Sequence, residues 1–497
     1  MDSNSQKIAI VIIILFIVFL ILFLKCGCKS KINTCKNDND CDGKVCNDGK
    51  CVTCVFDSDC SSQQKCSNNE CIVTDNELVC TGCSLDENSI VFENDPNTDV
   101  SSYFWDGSVQ SDGKIVVIGR DALSRYNIDG TRDLTFGTNG WYEIGDDISG
   151  ISGSESLEID SNDNIYVCAT GLVSLNRMHV VKVLPDGGID PAFGIGGIAS
   201  FPIAETGVVV SESIIFDFEG NIYGVSRDGG FLFKLTSAGQ IDNTFGTNGI
   251  VRIDWDGEDP DNIETWNIDI YNNQLYIALY DSGVNADRLG AVRYNLDGTK
   301  DITYANNGNA IFELTQYFRL CTGASLNCYG AGVGPDGCYY LSVTIAYNDD
   351  NLCGNYPIGV VKFGVDGTLD TSFGENGVFV DTATPFYTPD IFSESYHRIT
   401  FLPCNGNLML GVSSYQSGVT FDTPYVLQLT PDGTQILNSS YTASIQTIGE
   451  LYAWCTFPHP DGYLVMIGEL DLGNGVSAGV KLFECSDINY SRTNRPW

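Results

Sequence analysis

The sequence predicts an all-β protein, a seven-bladed β-propeller built of four-stranded antiparallel blades, and three observations carry that prediction. A strand-opening turn recurs at Asp112, Asp163, Glu219, Asn273, Asp336, Asn405 and Asp461, with spacings of 51, 56, 54, 63, 69 and 56 residues. Each is followed by an apolar run, then a second run carrying a central basic residue, then a second turn with a glycine-rich return. The two ends of the array also complement each other. The seventh unit stops after its third strand, GVKLFEC (Gly479 to Cys485), and an unassigned strand-like run, NSIVFEN (Asn88 to Asn94), precedes the first unit. An N-terminal strand that completes the last blade closes the ring and covers a sheet edge, so Ile90 to Phe92 is expected beside Val480 to Phe483.

The second turn is the most regular part of the unit. Its first copy, LSRYNIDGTRDLTFGTNG, runs from Leu123 to Gly140, and VVKVLPDGGIDPAFGIGG, FLFKLTSAGQIDNTFGTNG, AVRYNLDGTKDITYANNG and VVKFGVDGTLDTSFGENG repeat it. Arg125 and Asp133 stand eight residues apart about a three-residue loop, which sets them face to face across a hairpin. The same spacing pairs Lys182 with Asp190, Lys234 with Asp242, Arg293 with Asp301 and Lys362 with Asp370. The sixth unit, YVLQLTPDGTQILNSS, loses both partners together, carrying Gln428 and Ile436. These ten residues are therefore expected to form structural ion pairs that orient the hairpins. The aromatics Phe136, Phe193, Phe245, Tyr304 and Phe373 that follow are expected to plug the gap between neighbouring blades.

D-G-x-x-D-x-x-F-G-x-x-G after an apolar–basic–apolar strand resembles the delta-60 repeat, a β-propeller module of bacterial surface proteins and of some large DNA viruses. The resemblance covers roughly residues 88–485 and implies a propeller with no shared catalytic residues.

The N-terminal part is of another kind. Ile8 to Leu24 is an unbroken run of 17 apolar residues between Lys7 and Lys25, long enough at about 1.5 Å per residue to reach a short membrane span. No small-residue cleavage site follows it, so a retained single-pass anchor is expected over a cleaved signal peptide. Twelve of the 20 cysteines fall between Cys26 and Cys83. Cys35, Cys41, Cys46 and Cys51 form one four-cysteine unit, and Cys54, Cys60, Cys66 and Cys71 form a second. Segments this short and polar cannot bury a core, so disulfides within each unit are expected. Four cysteines allow three pairings, and zinc is the alternative. Residues 1–7 read as a tail, 8–24 as the span, 25–83 as the cysteine module with units at 35–51 and 54–71, 84–485 as the propeller and 486–497 as a second tail.

The formal net charge is −38, and because residues 1–36 contribute +4, everything after them is more acidic still. Such a surface repels phosphate backbones, which argues against nucleic-acid partners. Orientation in the membrane is contested: four lysines just after the span place the propeller in the cytoplasm, whereas the cysteine density points to an oxidising compartment. An anchor with cysteine units on an Asn- and Ile-rich chain resembles membrane or virion proteins of giant amoebal viruses. In such a setting virus-encoded thiol oxidases make disulfides on the cytoplasmic side, which reconciles the two signals.

The three histidines, His179, His397 and His459, lie near no nucleophile motif, and no phosphate-cradling loop is present. No catalytic residue, metal ligand or cofactor is assigned. Calcium is the alternative for the Asp-Gly turns, which lack the bidentate glutamate of an EF-hand. Asn438 and Asn489 open glycosylation sequons. Two function classes remain: a membrane-anchored binding or adhesion module for a protein or glycan, and an enzyme acting on exposed glycans through acidic residues in the propeller channel.

Overall fold

A computed structural model gives the architecture. It describes strand segments at 45–47, 50–52, 64–67, 70–73 and 83–85, and residues 104–485 apart from 120–121, 145–150, 172–176, 204–209, 259, 282–287, 314–326, 345–357, 382–390, 395–396, 403–405, 417–422, 437–449, 460–462 and 472–476. The expected span at Ile8 to Leu24, the run Asn88 to Asn94, Cys35, Cys41, Cys54, Cys60 and both sequons lie outside the described residues. Among those residues, no helix is long and apolar enough to cross a membrane. The chain divides into two compact units, Met1–Val79 and Cys80–Trp497.

In the first unit two antiparallel hairpins form, Val45–Asn47 with Lys50–Val52 and Gln64–Ser67 with Glu70–Val73. Their registers set Cys46 opposite Cys51 and Cys66 opposite Cys71.

The second unit is an all-β propeller. In the third repeat Ser211–Phe216, Ile222–Ser226, Phe231–Leu235 and Ile250–Arg252 pair in sequence order, every pairing antiparallel. The middle strands, IYGVS and FLFKL, read as nearly unbroken apolar runs because both sheet faces are covered by neighbouring sheets. Successive sheets share mixed clusters: Phe136 and Val116 of the first repeat pack with Leu157 and Val167 of the second, and Phe193 and Tyr166 of the second with Phe216 and Phe233 of the third. The last repeat packs on the first in the same way, Phe457, Val465 and Ile467 meeting Ile115, Val117 and Tyr126, so the ring is closed.

Two expectations need correction. Among the described residues six four-stranded antiparallel blades form, not seven; the sixth repeat instead pairs Leu408–Gln416 with Thr423–Leu429 on one edge and with Ile391–Glu394 and Thr400–Phe401 on the other. The fifth repeat, Asn327–Val333, Tyr339–Thr344, Ile358–Phe363 and Val378–Val380, takes a further strand, His397–Arg398 of the sixth repeat, in parallel along its inner edge, giving a five-stranded sheet. The inner edge there is Gly330-Ala331-Gly332, and a Cβ at Gly332 would stand 3.0 Å from the Phe401 ring and 3.3 Å from the Ile399 carbonyl. Small residues let the following chain approach that closely. The closing strand is also displaced from the expected position. Cys83–Leu85, not Ile90 to Phe92, pairs antiparallel with Phe483–Cys485 at the end of Ser477–Cys485. An outermost strand needs backbone hydrogen bonds more than apolar content, so hydrophobicity was a poor guide to which segment would fill it.

Candidate functional site

Antiparallel up-and-down order puts the first and third turns of every repeat on one face of the ring and the remaining connections on the other. The two faces are built differently.

On the first face lies the repeated return. Residues 127–140, 184–197, 236–249 and 364–377 are equal in length. In the first copy the Asn127 N–H donates to the Thr131 carbonyl, and Gly130, at φ 84°, closes the loop in the left-handed conformation that glycine adopts without a Cβ penalty. Asp133 then accepts from the Thr135 N–H and hydroxyl through Oδ1 at 3.0 and 2.6 Å, leaving Oδ2 for Arg125, whose Nη2 stands 2.8 Å away. The other pairs stand at 2.9 Å (Lys182–Asp190), 3.1 Å (Lys234–Asp242), 2.8 Å (Arg293–Asp301) and 3.2 Å (Lys362–Asp370).

A tyrosine on the preceding strand completes the arrangement. Tyr166, Tyr223, Tyr276 and Tyr340 lie directly across from Lys182, Lys234, Arg293 and Lys362. Each packs edge-to-face on the return aromatic, 5.6 Å for Tyr166–Phe193 and 5.8 Å for Tyr223–Phe245. The cation stands over these rings, 5.3 Å from Tyr223 for Lys234 and 4.3 Å from Tyr304 for Arg293. The box also reaches the next repeat. Arg293 Nη1 donates to the Val365 carbonyl at 3.0 Å and Lys362 Nζ to the Pro431 carbonyl at 3.1 Å, while the Gly137, Gly194 and Gly374 N–H groups donate to the Asp186, Ala238 and Asp432 carbonyls.

Burial pushes the carboxyls of Asp133, Asp301 and Asp370 up, but the hydroxyl and backbone caps and the basic partner outweigh it and hold them below the ordinary carboxylate range. The hydrogen bond from Lys182 holds Asp190 down, and the Thr244 hydroxyl does the same for Asp242. A carboxyl depressed on folding stabilises the fold above its unfolded pKa, near 3.8, and that stability is lost as pH falls through the folded value. Self-repulsion of the acidic surface weakens over the same descent, so two effects compete. The expected thermal profile is flat or rising from pH 7 to about 5, with a fall below about pH 4 as the paired carboxylates protonate. A melting temperature still climbing at pH 3 would show that these pairs contribute less than the relief of surface self-repulsion.

The opposite face varies. The segments between repeats are 144–150, 203–210, 253–262, 314–326 and 381–390, and those between second and third strands run from 119–121 to 345–357. Next to them the inner strands carry a β-bulge at one repeated position, between Ser154 and Ser156, Ser211 and Ser213, Thr265 and Asn267, Cys328 and Gly330, and Ala453 and Cys455. Bulges turn a side chain away from its strand and are frequent beside functional sites.

At two of them a polar cluster is built between the third and fourth repeats. Arg227 Nε donates to Glu212 Oε2 at 2.8 Å, and its guanidinium lies 4.5 Å over the Trp266 ring. Trp266 stacks on Tyr280, whose hydroxyl donates to Glu264 Oε2 at 2.6 Å. The Asp228 backbone bridges that of Glu264, and burial raises its carboxyl pKa. A carboxylate hydrogen-bonded to a tyrosine hydroxyl beside an arginine–carboxylate pair can exchange a proton.

Sequence reasoning did not find this cluster. Glu212 lies on Ser211–Phe216 and Arg227 just past the end of Ile222–Ser226, and a single sequence carries no bulge signal. Among the described residues no group of three His, Cys, Asp or Glu is placed to hold a metal ion. The Asp129, Asp297, Asp366 and Asp432 carboxylates of the Asp-Gly turns each accept from a threonine two residues on. Cys338 is a free thiol.

Residues 110–136 match the DUF5122 beta-propeller family, a domain of unknown function and the family of delta-60 repeats. No curated protein matches the chain. Among solved structures it is similar to a catalytically inactive virginiamycin B lyase from Staphylococcus aureus with quinupristin (16% identity, 79% of this chain and 99% of the other, TM-score 0.45). It is also similar to YCF48 bound to a peptide (10% identity, 82% and 97%, TM-score 0.43) and to an ulvan lyase of a new polysaccharide lyase family (12% identity, 80% and 93%, TM-score 0.43).

Proposed function

We propose that this chain is a single-pass, membrane-anchored binding or adhesion module that holds a protein or glycan on the face carrying the variable connections. The observation that supports this reading is the contrast between the faces. One repeats a return of fixed length whose charged groups satisfy one another, whereas the other varies in length and carries the bulges. The ten residues of the ion pairs are structural in this reading. Residues 8–24 hold the propeller at a membrane, the cysteine module spaces it from that membrane with disulfides inside each unit, and a giant-virus membrane or virion is the setting the resemblance implies. No cofactor or nucleic acid takes part.

The test is a screen of residues 80–497, which include the closing strand, against immobilised glycans and membrane-surface proteins. Replacing 314–326 and 345–357 by short turns is expected to abolish any binding found, and binding that survives both replacements places the site elsewhere. A second reading, an enzyme acting on exposed glycans, is favoured by the Glu212, Arg227, Tyr280 and Glu264 cluster. It expects bond cleavage in acidic polysaccharides that is lost in Glu264→Gln while binding remains.

A further inference from the structure

The ring is completed by a strand of only three residues, and its register has a chemical consequence. Cys83 is the cross-strand partner of Cys485, Ser84 of Glu484 and Leu85 of Phe483. Residues directly opposite in an antiparallel pair have Cα atoms about 4.5 or 5.5 Å apart, depending on the pair type, and both values fall within the Cα separation that disulfides span. Two other cysteines of the blades differ in this respect. Cys168 faces Ser156 and Val180, and Cys455 faces Ile467, so neither has a cysteine across from it.

We propose that Cys83 and Cys485 form a disulfide that locks the propeller ring. The bond joins the first and last strands of the propeller and encloses every repeat between them. Among the described outer strands, Cys83–Leu85 alone is not continuous in chain with the strand it pairs, and backbone pairing holds it there. The covalent link replaces that hold in a domain whose net negative charge favours opening. The bond forms by exchange with an external disulfide. One of the two thiolates attacks it, forming a mixed disulfide and releasing one thiolate. The other then attacks the mixed disulfide, closing the Cys83–Cys485 bond and releasing the second thiolate. Two cysteine thiols are oxidised, one external disulfide is reduced to two thiols, and the two cysteine protons pass to the released thiolates or to solvent.

The experiment uses the full chain folded with oxidised glutathione, alkylated, digested without reductant and mapped by tandem mass spectrometry. A peptide linking Cys83 to Cys485, with Cys80 bonded elsewhere or alkylated, is expected. The same map reads the pairing inside the two cysteine units. In Cys485→Ser, Cys83 is expected to become alkylated. Reductant is expected to lower the melting temperature of the wild-type chain by more than that of the Cys83→Ser/Cys485→Ser variant. Cys83 bonded to Cys80, or Cys83 and Cys485 both alkylated in the folded wild-type chain, would overturn the proposal, and the wild-type map decides this even where a variant fails to fold.

Discussion

Gly187→Ala is expected to cost about 3 kcal/mol of stability and Gly196→Ala about 1 kcal/mol, read from denaturant midpoints. Both glycines have positive φ, 88° and 65°, so alanine strains the backbone at either site. Their surroundings differ. A Cβ on Gly187 would stand 2.3 Å from the Gly137 nitrogen of the preceding repeat, whereas at Gly196 nothing lies within 4 Å. The Gly137 N–H donates to the Asp186 carbonyl at 2.8 Å, so the clash falls on the hydrogen bond that joins one repeat to the next. Subtracting the Gly196 effect isolates the inter-repeat contact from left-handed strain. Gly433, whose Cβ would stand 2.5 Å from the Gly374 nitrogen, is expected to behave like Gly187. Equal costs at Gly187 and Gly196 would mean that the Asp-Gly turn does not clamp neighbouring repeats.

The same contact shows what the sequence made legible. The motif's spacing is local, so the Arg125–Asp133 geometry could be read from a chain position and a loop length. The clamp is not local: Gly137 and Asp186 belong to different repeats, and nothing within one copy reveals that one copy's return seats on the next copy's turn. The tyrosines were hidden for a related reason. Tyr166 and Lys182 are 16 residues apart, but Tyr340 and Lys362 are 22, because the connection between their strands varies. Counted from the strand-opening turn the tyrosine recurs, as in Asn164-Ile165-Tyr166 and Asn221-Ile222-Tyr223. The bulges at Glu212 and Trp266 depend on how one strand is paired with another, so the candidate site was the least legible part. The displaced closing strand belongs with them, since Leu85 faces Phe483 through backbone pairing that composition does not encode.

Arg293→Ala is expected to cost about 3 to 5 kcal/mol, because it removes one partner of a buried pair and leaves the other charged. The side chains of Arg293 and Asp301 are only 9% and 8% exposed. Asp301 would retain Gln274 at 2.5 Å and its Thr303 cap, but no cation. Arg293 also serves the Tyr276 hydroxyl at 3.1 Å and the Val365 carbonyl of the next repeat at 3.0 Å, so the loss extends beyond one hairpin. The sixth repeat offers the repair. Its Gln428 and Ile436 keep the same backbone bond, Ile436 N–H to Gln428 carbonyl at 2.9 Å, with no charge at either position. Arg293→Gln combined with Asp301→Ile is therefore expected to be milder than Arg293→Ala, at about 1 to 2 kcal/mol, since the buried charge leaves together with its partner. Lys362 and Asp370 make a weaker test. Lys362 also holds Asp336 at 3.1 Å, so removing Asp370 leaves the lysine paired and the cycle reads part of the interaction. A cycle across Arg293 and Asp301 whose costs simply add would show that the two do not interact, and the repeat would owe its hairpin geometry to the turn and the aromatic plug alone.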